Sequence, residues 1–301
     1  MIVKEKFKQE FHNGYYELID PNHPLKLYIG KDDSGHYAIE YRGDFKPSAI
    51  PSSNIISIRQ YGDKESRLLI ALLDANLLDI FSAFADDVVD FTRDCTSNSE
   101  GYSQIVSRYY LWKKMFQVKK VEFTEGEIMG LIGELLFLRD FMIPKYGEIN
   151  AIQAWSGQER THKDFSVDND WYEVKSIASG KELVKISSIE QLNADTNGYL
   201  IVHQLEKMSP SFDGITLNKL AHEVFHSLSS VMAKDMLLVK FAECGFDFSK
   251  YFDTFVYQLT DVTKYLVDDK FPKLTTTELP VAVAKVQYDL LIAELEPYKI
   301  E

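Results

Sequence analysis

The chain has 301 residues, 45% of them hydrophobic and 26% charged, with 17 Tyr, 19 Phe and 3 Trp. That is enough apolar material for one large domain or two modest ones, and it excludes a disordered chain. The 33 Lys and Arg against 46 Asp and Glu leave a net charge of −13. This argues against a stand-alone nucleic-acid binder, because such affinity comes largely from neutralising phosphates.

Cys95 and Cys244 are too few for a disulfide framework or a thiolate zinc site and read as buried, reduced thiols. The first residues, MIVKEKFKQEFHNGYYELI, hold no continuous apolar run, so no secretory leader is expected. The most apolar stretch, LLIALLDANLLDIF, is broken by Asp74 and Asp79 and is too short to span a bilayer. The expectation is a cytoplasmic protein with no membrane contact.

In chain order, LKLYIG and HYAIEYRG flank KDDS, and NIISIRQY and SRLLIALL flank GDKE, which reads as two β-hairpins. The period then changes. Leu77, Leu78, Ile80, Phe81, Phe84, Val88, Val89 and Phe91 recur at helical spacing, and a second helix is expected over about 102–116. The next helix starts at Thr124, a capping residue with Glu125 and Glu127 in its first turn, and is expected to stop before Pro144. AIQAW and a polar loop (SGQERTHK) follow, then a hairpin, the strand LVKIS, a helix opening at SSIEQL, and the apolar strand GYLIVHQL. A helix over about 215–228 precedes two strand-like segments, DTFVYQLTDVTKYLVDD and VAVAKVQYDL, expected in a second sheet region. A boundary near residue 120 divides a β-rich region with two helices (1–120) from the remainder (121–301).

The hairpin between Lys163 and Ser176 reads KDFSVDNDWYEVKS. Strand side chains alternate, so Glu173 and Lys175 share a face, while Tyr172 and Val174 point the other way into a core. Residues 168–170, Asp-Asn-Asp, suit a turn that brings Asp164 across to Glu173. Two carboxylates this close repel unless a positive charge lies between them. Mg²⁺, which demands hard oxygen ligands, meets that need. Such an ion polarises a phosphate and lowers the pKa of a bound water, and Lys175 is placed to orient that water. Glu134, set in the apolar GLIGELLFLRD, is a third acid. It either completes the metal set from its helix or lies on a solvent stripe beside Arg139 and Asp140. By spacing alone the hairpin reads first as a solvated surface feature; the strand pattern around it and the upstream acidic helix favour the site.

GLIGELLFLRDF, AIQAWSG, HKDFSVDNDWYEVKS and KISSIEQL together resemble the PD-(D/E)XK family of bacterial proteins of about this length, often encoded beside phage-defence or restriction-modification genes. The resemblance is densest from about 125 to 205. It implies a restriction-endonuclease-like α/β (α+β) fold, a mixed central sheet flanked by helices. It also implies an endonuclease that hydrolyses DNA phosphodiesters with Mg²⁺ or Mn²⁺. On the matching positions, Asp164 and Glu173 are the acids of the motif, Lys175 its lysine and Glu134 the acid of the preceding helix. Lys163 stands where the motif's name has proline. The resemblance leaves room for a partner ATPase or methyltransferase of a defence system and for a homodimer.

Several neighbours carry two readings. Gln191 can reach a phosphate or a water, whereas Ser187 and Glu190 suit a capping box. His162 can contact a phosphate or simply be solvated. Lys163, Lys175, Lys181, Lys185 and Arg160 make a local basic strip interspersed with acids. AHEVFH holds His222, Glu223 and His226, a literal H-E-x-x-H of the kind that binds zinc in peptidases. The apolar stripe Leu217, Leu220, Ala221, Val224 and Leu228 turns both histidines toward water, and only Glu243 offers a third ligand. The sequence thus supports a Mg²⁺-dependent nuclease first and a catalytically silent DNA-binding or assembly subunit second. A zinc metallopeptidase is a distant third.

Overall fold

A computed structural model of the chain describes residues 2–62, 65–116, 123–156, 163–275, 279–280 and 282–300. The chain divides into two compact units, 1–119 with 245–249, and 120–244 with 250–301.

In the first unit, strands β1 (Tyr16–Leu18), β2 (Lys26–Lys31), β3 (Tyr37–Gly43), β4 (Ile56–Gly62) and β5 (Ser66–Leu72) form an antiparallel sheet in the order β1-β2-β3-β5-β4. Both expected hairpins, β2–β3 and β4–β5, are present. Three helices accompany the sheet: α1 (Ile2–Phe7), α2 (Leu78–Phe91) and α3 (Asn98–Met115). α2 and α3 are joined by a buried ion pair, Arg108 Nε to Asp87 at 2.7 Å, and Trp112 Nε1 donates to the same carboxylate at 2.6 Å.

The second unit opens with α4 (Glu125–Phe137). Thr124 caps it by accepting from the Glu127 amide at 3.2 Å, while Glu127 accepts from the Thr124 amide at 2.7 Å. This reciprocal box satisfies two amides that the first turn leaves open. The helix does not stop before Pro144. A wide turn at Leu138–Met142 passes into α5 (Ile143–Tyr146), where Pro144 lies in the first turn and its missing N–H costs nothing. α6 (Glu148–Ala154) turns the AIQAW segment into helix.

The main sheet has the order β12-β10-β9-β7-β6, built from β6 (Phe165–Val167), β7 (Asp170–Ala178), β9 (Gly198–Met208), β10 (Val256–Val267) and β12 (Lys299–Ile300). β7 and β9 run parallel and the other pairs antiparallel, so the sheet is mixed. The crossover from β7 to β9 carries β8 (Leu183–Ile186) and one 3₁₀ turn, Ile189–Gln191, where a helix is expected from the sequence. Ser188 takes the N-cap place without a side-chain bond, and the Ser187 amide donates to Gln191 Oε1 at 2.7 Å, so the capping box does not form. β10 joins the main sheet, and β11 (Tyr288–Leu291) pairs with β8 in a separate two-stranded ribbon. α7 (Leu217–Ser227) buries the expected stripe of Leu217, Leu220, Ala221 and Val224, and α8 (Val231–Cys244) follows it.

Both faces of β7 are covered. Trp171 and Ile177 join the ribbon-side core with Val184, Ile186, Leu200 and Tyr265. On the other face, Tyr172 meets Phe137 of α4, with ring centroids 5.2 Å apart. α4 approaches closely because Gly133 carries no side chain. A Cβ there would fall inside the envelope of Ser176 Oγ and stand 3.4 Å from Ser176 Cβ and from His203 Nδ1.

Helix preference alone would make Gly133→Ala stabilising by about 1 kcal/mol. The overpacked contact costs about 1–3 kcal/mol and outweighs it. Urea denaturation is expected to show net destabilisation by Gly133→Ala. Ser176→Ala, which removes the crowding hydroxyl, should restore stability in the double variant.

Candidate active site

The hairpin turn at 168–169 leads directly into β7, with Val167 opposite Asp170 and Phe165 opposite Tyr172. Asp168 takes a left-handed φ of 51°, which a short polar side chain tolerates better than most. One register step beyond Phe165 sets Asp164 across from Glu173. The Asp164 main chain is held by Ser156, whose amide donates to the Asp164 carbonyl at 2.8 Å. Its carboxylate accepts from the Val174 amide at 2.7 Å. Lys175 lies two positions from Glu173 on the same face, and its Nζ stands 2.7 Å from Glu173 Oε1. That contact is electrostatic. Its angles leave both Glu173 oxygens buried without a hydrogen bond.

Glu134 comes from α4. It is half-buried, and Trp155 Nε1 donates to its Oε2 at 2.7 Å. It does not sit on a solvent stripe with Arg139 and Asp140, which pair with each other at 2.7 Å.

The electrostatics bind the acids into one site. Burial pushes the Glu134 carboxyl up to about 8, with the Asp164 charge adding to it and the Trp155 hydrogen bond opposing it. Burial likewise lifts Glu173 to about 8, again with Asp164 adding and Lys175 opposing. Asp164 is raised by burial against the pull of Lys175 and the Val174 amide. Like charges out of water favour the protonated form.

Among the described residues, no three His, Cys, Asp or Glu side chains gather tightly enough to hold a metal ion as they stand. Each carboxylate is turned to its own protein partner: Glu134 to Trp155, Asp164 to Val174, Glu173 to Lys175. The donor chemistry nonetheless suits a hard divalent cation. All three groups offer carboxylate oxygens, and the two of Glu173 are buried without hydrogen bonds.

The neighbours expected to touch substrate are placed differently. Lys163 Nζ donates to the carbonyls of Glu190, Gln191 and Asn193 at 2.6, 2.8 and 3.2 Å, and burial lowers its pKa to about 8. Gln191 uses its side-chain oxygen on Ser187. His162 and Arg160 lie outside the described residues, and Lys181 and Lys185 are exposed. Trp155, which donates to Glu134, is the neighbour the sequence reading missed. AIQAW announces an aromatic residue, but no spacing rule links it to Glu134.

The rival motif on α7 does not form a zinc site among the described residues. Glu223 pairs with Arg139 at 2.8 Å, and the His222 and His226 rings lie stacked with centroids 6.1 Å apart. Glu243 is exposed on α8.

The family model described as "Putative PD-(D/E)XK family member, (DUF4420)" matches residues 11–293. The chain belongs to this family. The mixed sheet with its flanking helices is a PD-(D/E)XK-like α+β fold. Membership in this family suggests nuclease-like function, and the matched range includes Asp164, Glu173 and Lys175. No curated protein and no solved structure matches the chain. Among the described residues, no helix is long and apolar enough to cross a membrane.

The Glu173 shift makes a stability statement. Its carboxyl lies near 4.5 ordinarily and about 8 in the fold, so the folded state holds the extra proton between those values. Stability of the metal-free protein is therefore expected to fall as pH rises through that window. The loss has an upper bound of about 5 kcal/mol. Thermal melts in EDTA from pH 5 to 9 test this. Glu173→Gln should flatten the slope and raise the melting temperature at the alkaline end.

Proposed function

We propose that the protein is a metal-dependent nuclease hydrolysing DNA phosphodiesters with Mg²⁺ or Mn²⁺. The observation that carries this reading is the hairpin register that sets Asp164 across from Glu173, with the Lys175 ammonium 2.7 Å from Glu173. Asp164 and Glu173 would hold the ion, with Glu134 assisting from α4. A bound ion supplies charge that polarises the phosphate and lowers the pKa of a water. Lys175 has two tasks. In the present arrangement its ammonium offsets the Glu173 charge. Once that charge is met otherwise, the ammonium is free to orient the attacking water and to stabilise charge building on the phosphate oxygens. A setting in phage defence or restriction, cytoplasmic and alongside an ATPase or methyltransferase, follows from the family resemblance. A homodimer is compatible with it.

A second reading has its own support. The net charge of −13 disfavours DNA binding by the bare protein, and the three carboxylates are each turned to a protein partner. On that reading the chain is an assembly or DNA-binding subunit whose chemistry comes from a partner.

Cleavage of supercoiled and linear DNA in Mg²⁺ or Mn²⁺ separates the two. The native protein is expected to cut, and Asp164→Ala and Lys175→Ala each to lose roughly 100-fold or more in rate. Glu134→Gln should lose less, since that side chain only assists. Cutting that survives in both of the first two variants would place the activity elsewhere. No cutting by any form would favour the subunit reading.

A further inference from the structure

The motif's proline position is occupied here by Lys163, and this lysine makes more polar contacts than any acid of the site. Its Nζ donates to three carbonyls at the end of the 3₁₀ turn: Glu190 at 2.6 Å, Gln191 at 2.8 Å and Asn193 at 3.2 Å. Such carbonyls are left open where a helical turn ends. An ammonium, with three donors and no acceptor, matches three converging oxygens. The same Nζ lies 3.8 Å above the centroid of the Trp171 ring. Trp171 is itself held by its Nε1, which donates to the Thr196 carbonyl at 2.9 Å, and its ring lies over Gly198, where any side chain would collide with it.

The next residue is Asp164. Its carbonyl is held by Ser156 and its carboxylate by the Val174 amide. The chain around Asp164 is therefore fixed toward β7 on one side and, through Lys163, toward the crossover turn on the other. A proline would restrict this backbone through its ring. The lysine restricts it by anchoring its far end.

We propose that Lys163 is a positioning residue that clamps the start of the β6–β7 hairpin to the 189–193 turn and thereby sets the Asp164 carboxylate opposite Glu173. It acts through Asp164 and does not contact DNA. The inference deepens the nuclease reading and rests on it for its bearing on metal binding, but the clamp itself is a geometric claim that metal-free protein can test.

The variants are Lys163→Met, which keeps the length without the charge, Lys163→Gln, which keeps one donor if the Met variant does not fold, and Lys163→Pro, which installs the motif's residue. On metal-free protein, the Val174 amide and Trp171 indole N–H resonances should shift in Lys163→Met and return toward native positions in Lys163→Pro for Val174 only. By calorimetry, Mn²⁺ affinity should weaken roughly tenfold in Lys163→Met. The same change made in an Asp164→Asn background should add nothing, because the lysine works through that carboxylate. DNA affinity measured in EDTA should keep its salt dependence, whereas loss of a phosphate contact would lower the slope by about 1.

An unmoved Val174 amide, additive effects in the Asp164→Asn background, or a reduced salt slope would each overturn the clamp. A native protein that neither binds Mn²⁺ nor cuts DNA would sink the nuclease reading, leaving the Val174 resonance to decide the clamp by itself.

Discussion

Crowding of like charge away from water is the constraint around which the second unit is arranged. Three carboxyls, Glu134, Asp164 and Glu173, come from a helix, the start of a hairpin and a central strand; burial raises all three, and the Asp164 charge adds to the cost of ionising the other two. The fold meets the cost piecemeal, with an indole for Glu134, a backbone amide for Asp164 and an ammonium for Glu173. The arrangement is poised: one cation could replace three separate partners.

The surrounding packing serves that arrangement. Gly133 lets α4 lie close on the sheet, which brings the adjacent Glu134 to the level of β7. The parallel β7–β9 pair needs a crossover, and the crossover returns the 189–193 carbonyls to Lys163 beside Asp164. Aromatic residues fill both faces of β7, with Tyr172 against Phe137 and Tyr199 on one side and Trp171 on the other. The strand bearing Glu173 and Lys175 is thus rigid where the chemistry needs it to be.

The first unit holds its own buried charge, but of a different kind. Asp87 is matched by Arg108 and Trp112 in short hydrogen bonds between α2 and α3. Breaking such a pair from one side typically costs several kcal/mol. Glu173, by contrast, meets the Lys175 ammonium at 2.7 Å with both oxygens buried and outside hydrogen-bond geometry.

Much of this was legible in the amino-acid order. The N-terminal hairpins, α2, the cap at Thr124 and the stripe of α7 follow from local periodicity and capping chemistry, which act over a few residues. The face shared by Glu173 and Lys175 follows from strand alternation, and the tie of Asp164 to the Glu173 strand from the turn at 168–169. Four outcomes were not legible, because each depends on residues distant in sequence. Helix continues past Pro144 to Tyr146 because a wide turn at Leu138–Met142 precedes it. SSIEQL becomes a single 3₁₀ turn because the crossover is short and its carbonyls find Lys163. Glu134 leaves the solvent stripe because Trp155 reaches it. Lys163 and Gln191, read from the sequence as substrate contacts, bond main-chain groups of the crossover. Local order therefore determined which residue types could perform the chemistry. Only the tertiary structure decided which of them face one another, because pairing across α4, β7 and the crossover is set by packing and not by spacing along the chain.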